Sequence, residues 1–128
     1  MNKNEIYIKT GTQYKEMTKA LLTQCNLAAQ ISDTDMQIGI KPNLVSPSEA
    51  SWGATTHPEI VAGIIEYLQE NGYRKIAILE GSWVGDKTTE AYEVCGYREL
   101  SEKYQVPFWD MQKDKGIERE CGGVKLNI

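Results

Sequence analysis

The sequence predicts an α/β domain: a mostly parallel, twisted sheet in a three-layer arrangement, helices on both faces, in Rossmann-like order. Three observations lead there. Short apolar runs alternate with stretches of helical periodicity. The clearest helical stretch, 56–71, lies between two such runs, which is the order of a right-handed crossover between parallel strands. The run Ile76-Ala77-Ile78-Leu79 is apolar at every position, as in a strand covered on both faces.

Taken in order, Ile6 to Lys9 reads as a first strand. Thr12 to Cys25 reads as a helix, because Met17, Leu21 and Cys25 recur at helical spacing. Ser32-Asp33-Thr34-Asp35 is a polar break of turn formers. Met36 to Ile40 is a second strand, stopped by Lys41-Pro42 because proline has no N–H to give to a ladder. Asn43 to Thr56 is a long loop with little periodicity, a length that usually signals function. The helix Thr56 to Asn71 has Thr56 and Glu59 in capping-box relation and Pro58 in the first turn. Ile60, Val61, Ile64, Ile65 and Leu68 are its apolar stripe, and Asn71-Gly72 its stop.

Lys75 to Leu79 is the central strand, followed by the loop Glu80 to Asp86. Helical pieces span Lys87 to Cys95 and Tyr97 to Tyr104, broken at Gly96. Val106 to Trp109 is a strand that Pro107 pushes to an edge. Asp110 to Gly123 reads as a polar loop, and Val124 to Ile128 begins a further strand. Because the sequence stops inside that strand, the reading is one domain, 1–128, the N-terminal portion of a longer architecture or a truncated one.

The chain has 128 residues, enough to bury roughly two-thirds of its unfolded surface without disulfides or a metal. Hydrophobic residues are 41% and charged residues 25%, which is ordinary globular usage. The net charge of −4, with signs mixed along the chain, gives no footprint for nucleic acid or an anionic membrane. No apolar run approaches the ~20 residues of a membrane helix, and the start, Met1 to Glu5, lacks a secretory core. The expected location is cytoplasmic. Cys25, Cys95 and Cys121 are far apart; the first two read as small core residues and the third as an exposed thiol.

In open parallel sheets, ligands bind outside the carboxyl ends of the strands. Three loops leave those ends, and they hold the site candidates. Lys41 ends a strand before a rigid proline and is placed to pair with a phosphate or carboxylate, or to reach into water. Asn43 either offers its amide to a ligand or ties down the loop. Thr55 and Thr56 open the best helix, where free N–H groups attract anions; Thr56 is equally a plain cap. His57, the single histidine, sits in that first turn, where its proton affinity falls and it can serve as donor or base. Glu80 is a general base, a metal ligand or the partner of Lys41. Ser82 and Trp83 follow it; Asp110 and Lys113 mark the third loop. The phosphate loop, the dinucleotide fingerprint, the nucleophile elbow and zinc spacing are all missing, so no metal is expected.

Ile40-Lys41-Pro42-Asn43-Leu44-Val45, then Gly53-Ala54-Thr55-Thr56-His57-Pro58-Glu59, resemble the signature of the domain-of-unknown-function family DUF362. Ala91 to Tyr97 and the strand ending at Asp110 resemble its later segments, so the likeness runs from Ile6 to Asp110. The resemblance implies an iron–sulfur association, since many members carry a ferredoxin-like segment of clustered cysteines. This sequence has no such segment, and no cluster is expected in it. The layout is also loosely similar to the substrate-binding half of nickel-dependent lactate racemases, an analogy of fold only.

Two functions follow as expectations. In the first, a small anion binds at the carboxyl ends, held by Lys41, Asn43, Thr55, Thr56 and Ser82, with His57 or Glu80 to move a proton. In the second, the 42–56 loop is a docking or redox-partner surface with Trp52 and Trp83 as anchors.

Overall fold

The computed structural model describes residues 5–127, with the backbone alone at Asn127; the expectations for Met1–Asn4 and Ile128 lie outside the described residues. The chain runs α1 (Tyr14–Gln24), β1 (Ile38–Ile40), α2 (Pro58–Glu70), β2 (Ile76–Glu80), α3 (Thr88–Val94), α4 (Tyr97–Tyr104), β3 (Phe108–Asp110), β4 (Glu118–Cys121) and β5 (Val124–Asn127). The first three strands form one parallel sheet in the order β1-β2-β3, with Ile40 opposite Ile78 and Glu80 opposite Asp110. This is a small α/β fold, as expected.

The described packing accounts for one face of the sheet. Strands added in sequence order by right-handed crossovers put their connecting helices on one face. In agreement, Ile40, Ile76 and Ile78 share a single buried cluster with Val61, Ala62, Ile65 and Leu68 of α2, Ala91 of α3, and Tyr97 and Leu100 of α4. Side chains alternate along a strand, so Gly39, Leu79 and Trp109 belong to the opposite face. There Gly39 and Trp109 are exposed. Ala77, on that same face, is buried, and among the described residues the packing shows a small α/β fold with helices on the first face, without showing Rossmann-like layering.

α2 carries two contact faces. Val61, Ile65 and Leu68 face the core, while the half-buried Ile60 and Ile64 line a cleft with Met17, Leu21 and Leu22 of α1. Gly63 permits this packing: a Cβ there would stand 2.6 Å from the Lys15 carbonyl oxygen and 2.9 Å from Thr18 Cβ. Two tyrosines fix the turn after α1. Tyr73 donates to the Ala28 and Ile31 carbonyls at 2.9 and 3.1 Å, and Tyr67 Oη accepts the Ala28 N–H at 3.0 Å.

Glu66 joins three helices. It accepts from Tyr104 at 2.7 Å, from Lys15 at 3.1 Å and from Lys19 at 3.2 Å. The Tyr104 hydroxyl, then the two ammonium groups, hold its carboxyl down at about 2 against burial, which pushes it up. A depressed folded-state value means stability that is complete above the unfolded value of about 4.5 and lost as pH falls toward 2. Urea melts between pH 6 and pH 2.5 should show on the order of 2 kcal/mol lost through this carboxylate. Glu66→Gln should remove that part of the slope; an unchanged slope would assign acid sensitivity elsewhere.

Several expected elements differ. Ile6 to Lys9 forms no strand, and Ile6 and Ile8 are 85% and 78% exposed. Four strand-like residues have no structure without a ladder to satisfy their backbone groups. The capping box at α2 is not made: His57 is the N-cap, and Thr56 Oγ1 instead accepts the Asn43 N–H at 3.0 Å. The third strand begins two residues after its expected start, at Phe108, because Pro107 supplies no N–H. The polar stretch 110–123 contains β4, which pairs antiparallel with β5 as a hairpin of its own, with Cys121 opposite Val124. The final strand therefore does not extend the parallel sheet. No described helix is long and apolar enough to cross a membrane.

Candidate functional site

The carboxyl ends of the strands bring the first and second loops together around one buried charge. Glu80, the last residue of β2, is 2% exposed. A carboxylate so buried needs partners, and it has three. Oε1 lies 2.8 Å from Lys41 Nζ and accepts the Gly81 N–H at 2.7 Å; Oε2 accepts the Leu44 N–H at 3.1 Å. Lys41, one residue past β1, is itself about half exposed. The ion-pair alternative for Glu80 is thus the observed geometry, and the carboxylate also staples the start of the first loop to the end of β2.

That loop is closed on itself. Leu44 and Thr55 form an antiparallel bridge, and Asn43 and Thr56 exchange two further bonds: Asn43 N–H to Thr56 Oγ1, and Thr56 N–H to the Asn43 carbonyl at 2.9 Å. Asn43 Nδ2 donates to the Ala54 carbonyl at 2.7 Å, and the buried Thr55 hydroxyl donates to the Ser48 carbonyl at 2.9 Å. Asn43 therefore takes its loop-tying alternative. The Tyr97 hydroxyl donates to the Thr56 carbonyl, and the buried Cys95 thiol to the Ser48 carbonyl, which fixes the far side of the loop on α4 and the end of α3. Burial, first, and nearby negative groups, Glu59 and Glu80 among them, push the Tyr97 hydroxyl far above its ordinary value, so it remains a donor.

The second loop runs beside the first. Ser82 Oγ donates to the Leu44 carbonyl at 2.6 Å, and the Trp83 N–H to the Val45 carbonyl at 3.0 Å. The Ser82 N–H donates to the fully buried Thr88 hydroxyl at 3.0 Å. Gln112 locks the third loop to the second: Nε2 donates to the Ser82 and Asp86 carbonyls at 3.2 and 3.0 Å, and Oε1 accepts the Thr88 N–H at 3.1 Å. Asp110 holds Lys113 at 3.1 Å and accepts the Gln112 N–H at 3.0 Å. Gln112 was not legible beforehand, since a glutamine in a polar stretch carries no spacing signal.

His57 stands apart. Its ring lies on Tyr14 of α1, centroids 4.3 Å apart, and Nδ1 is 3.9 Å from Glu59 Oε2. Among the described residues no hydrogen bond, ion pair or ring contact joins it to Lys41 or Glu80. It lines instead a shallow cleft of about 340 Å³ with Glu49, Ser51, Glu59 and Cys95. A larger cleft, about 410 Å³, lies between α1, α2 and α4 and contains none of the expected site residues. The structure therefore unites Lys41, Glu80, Asn43, Thr55, Thr56 and Ser82 in one bonded set along the rim and leaves His57 outside it. Among the described residues, no group of three or more histidines, cysteines and carboxylates is placed to hold a metal ion.

Among known families, the model of the Domain of unknown function (DUF362) matches residues 38–128. That span takes in the rim and everything after it, and the chain belongs to this family. No curated protein and no solved structure matches it.

Proposed function

We propose that this DUF362 member binds a small anion, a carboxylate or a phosphate, at the carboxyl ends of its parallel strands, with Lys41 as the selecting charge. One observation carries the reading: the Glu80 carboxylate that fixes Lys41 is shared with two backbone N–H groups. Lys41 pairs with Glu80 at 2.8 Å yet is about half exposed, so its ammonium keeps donors for a ligand on the solvent side. The two backbone N–H groups hold the Glu80 carboxylate in place, and the carboxylate in turn orients Lys41. Asn43, Thr55, Thr56 and Ser82 frame the ammonium by holding the two loops in register. The proposal is one of binding alone, because His57 has its contacts elsewhere and Glu80 is already held by three partners.

The test is a calorimetric or thermal-shift screen over small carboxylates and phosphates at low salt. A ligand at a hundred times its dissociation constant stabilises the fold by about 2.7 kcal/mol, an easily read shift. Lys41→Ala should weaken the anion found by an order of magnitude or more. A Lys41→Ala protein that binds every tested anion as well as the parent would end the proposal.

A second reading, a protein-docking surface on the 42–56 loop, is favoured by Trp52, which is 78% exposed there. The two separate at Lys41: docking through the loop survives its removal, and anion binding does not.

A further inference from the structure

The segment before α1 has the composition of a strand and belongs to no sheet among the described residues. Ile6 and Ile8 are 85% and 78% exposed, and Glu5 and Lys9 are exposed beside them. The Tyr7 hydroxyl donates to Glu5 Oε2 at 2.8 Å. Residues two apart share one side of an extended chain, so this contact groups Glu5 with Tyr7, and Lys9 joins them by the same alternation. Ile6 and Ile8 then share the other side. A single exposed apolar side chain needs no explanation. Two on one side of a strand-like segment without a ladder make an edge open to another strand.

The charges of the segment select that strand. Glu5-Ile6-Tyr7-Ile8-Lys9 is complementary to itself read backwards. A two-fold axis through Tyr7 sets Glu5 opposite Lys9 of a second copy, Ile6 opposite its Ile8 and Tyr7 opposite its Tyr7. Opposite charges and apolar pairs placed directly across an antiparallel ladder stabilise it, and like charges do the reverse. Parallel pairing would set Glu5 on Glu5 and Lys9 on Lys9. A slip of one residue would set Ile6 against Lys9 and lose both ion pairs. We infer that Glu5–Lys9 pairs antiparallel with the same segment of a second copy of this chain, forming a two-stranded ribbon across a two-fold dimer. Such self-complementary pairing is the isologous contact of a homodimer. A ribbon this short is a small interface, so the dimer is weak and depends on concentration. The inference uses none of the rim residues and is independent of the anion site.

The test is sedimentation equilibrium of the full chain at low salt, at concentrations up to about 1 mM. The expected result is a monomer–dimer equilibrium that weakens as salt is added. Glu5→Lys and Lys9→Glu each turn both end pairs of the ribbon into like charges, and each should weaken the dimer by about ten-fold. Mixing the two variants should restore it, because each chain then meets the opposite charge at both ends of the other. The double variant Glu5→Lys/Lys9→Glu should dimerise like the parent. All of these chains should melt like the parent, since both positions are exposed. Amide exchange at Ile6 to Ile8 should slow as the parent is concentrated. A parent that stays monomeric throughout would overturn the inference. So would a dimer indifferent to either single reversal, which would place the contact on another surface. Failure of the mixture to recover the dimer would rule out the antiparallel register.

Discussion

Glu80→Ala should lower the free energy of unfolding by about 3 kcal/mol, read as a shift of the urea midpoint at pH 7 with the slope unchanged. The substitution removes the acceptor for two backbone N–H groups and one ammonium. Hydrogen bonds to a charged group contribute about 1.5–3 kcal/mol each, and a buried N–H left unpaired costs more than one returned to water. Lys41 is half exposed and can be rehydrated, so it adds little to the loss. The Leu44 N–H is the costly orphan, because Leu44 is fully buried. Glu80→Gln should recover part of the loss: its amide oxygen still accepts, but its NH₂ meets a donor. Hydrogen exchange in Glu80→Ala should quicken first at Leu44 and Thr55, the bridge that the carboxylate supports. A variant as stable as the parent would show that the first loop is held in place without the carboxylate.

Gly63→Val should cost about 3 kcal/mol by a different route. A Cβ at this position would meet a backbone oxygen of α1 at 2.6 Å, and backbone cannot swing aside as a flexible side chain does. Overpacking of a close contact typically costs 1–3 kcal/mol, with more when α1 must lift off. Replacing glycine by alanine within a helix gains about 1 kcal/mol of propensity, and by valine less, so the net sign rests on the clash winning. Gly63→Ala should therefore still destabilise, by less. Exchange protection in α1 should fall in both variants while the β2 amides stay protected to the global limit. Two neutral substitutions would mean that α1 is not seated on α2 at this point.

The parts of the fold readable from sequence are those in which local pattern and tertiary need agree. α2 and β2 were plain because the helical stripe and the apolar run both serve one core. The α4 span, Tyr97–Tyr104, came out as expected because Gly96, at φ 76°, marks the break before it. The failures share a cause: they depend on partners the local sequence does not name. Ile6 to Lys9 looks like a strand and has no ladder. Glu118 to Cys121 looks like loop and is a strand because β5 folds back on it.

The rim shows the same division. The expectation of a site at the strand ends rested on Lys41, Asn43, Thr56, Glu80 and Ser82, and these do form one bonded set. Asn43, Thr56 and Glu80 all make bonds within the loops; those of Asn43 are exposed, whereas the Leu44 N–H held by Glu80 is buried, where water could not supply an acceptor. Grouping His57 with Lys41 at the strand ends rests on topology alone. The ring instead turned toward Tyr14, which α1 carries to the front of α2, a contact between segments too far apart in sequence for spacing to reveal.

The central claim is that an anion sits on Lys41 at the carboxyl rim. The most direct measurement is a titration of the ¹⁵N-labelled protein with benzoate and with phosphate, followed amide by amide. The account predicts saturable shifts concentrated at Lys41, Asn43–Val45, Thr55–Thr56 and Gly81–Trp83, absent in Lys41→Ala. Shifts confined to the cleft between α1, α2 and α4, around Tyr14, Glu59 and Lys103, or shifts that persist without Lys41, would contradict it.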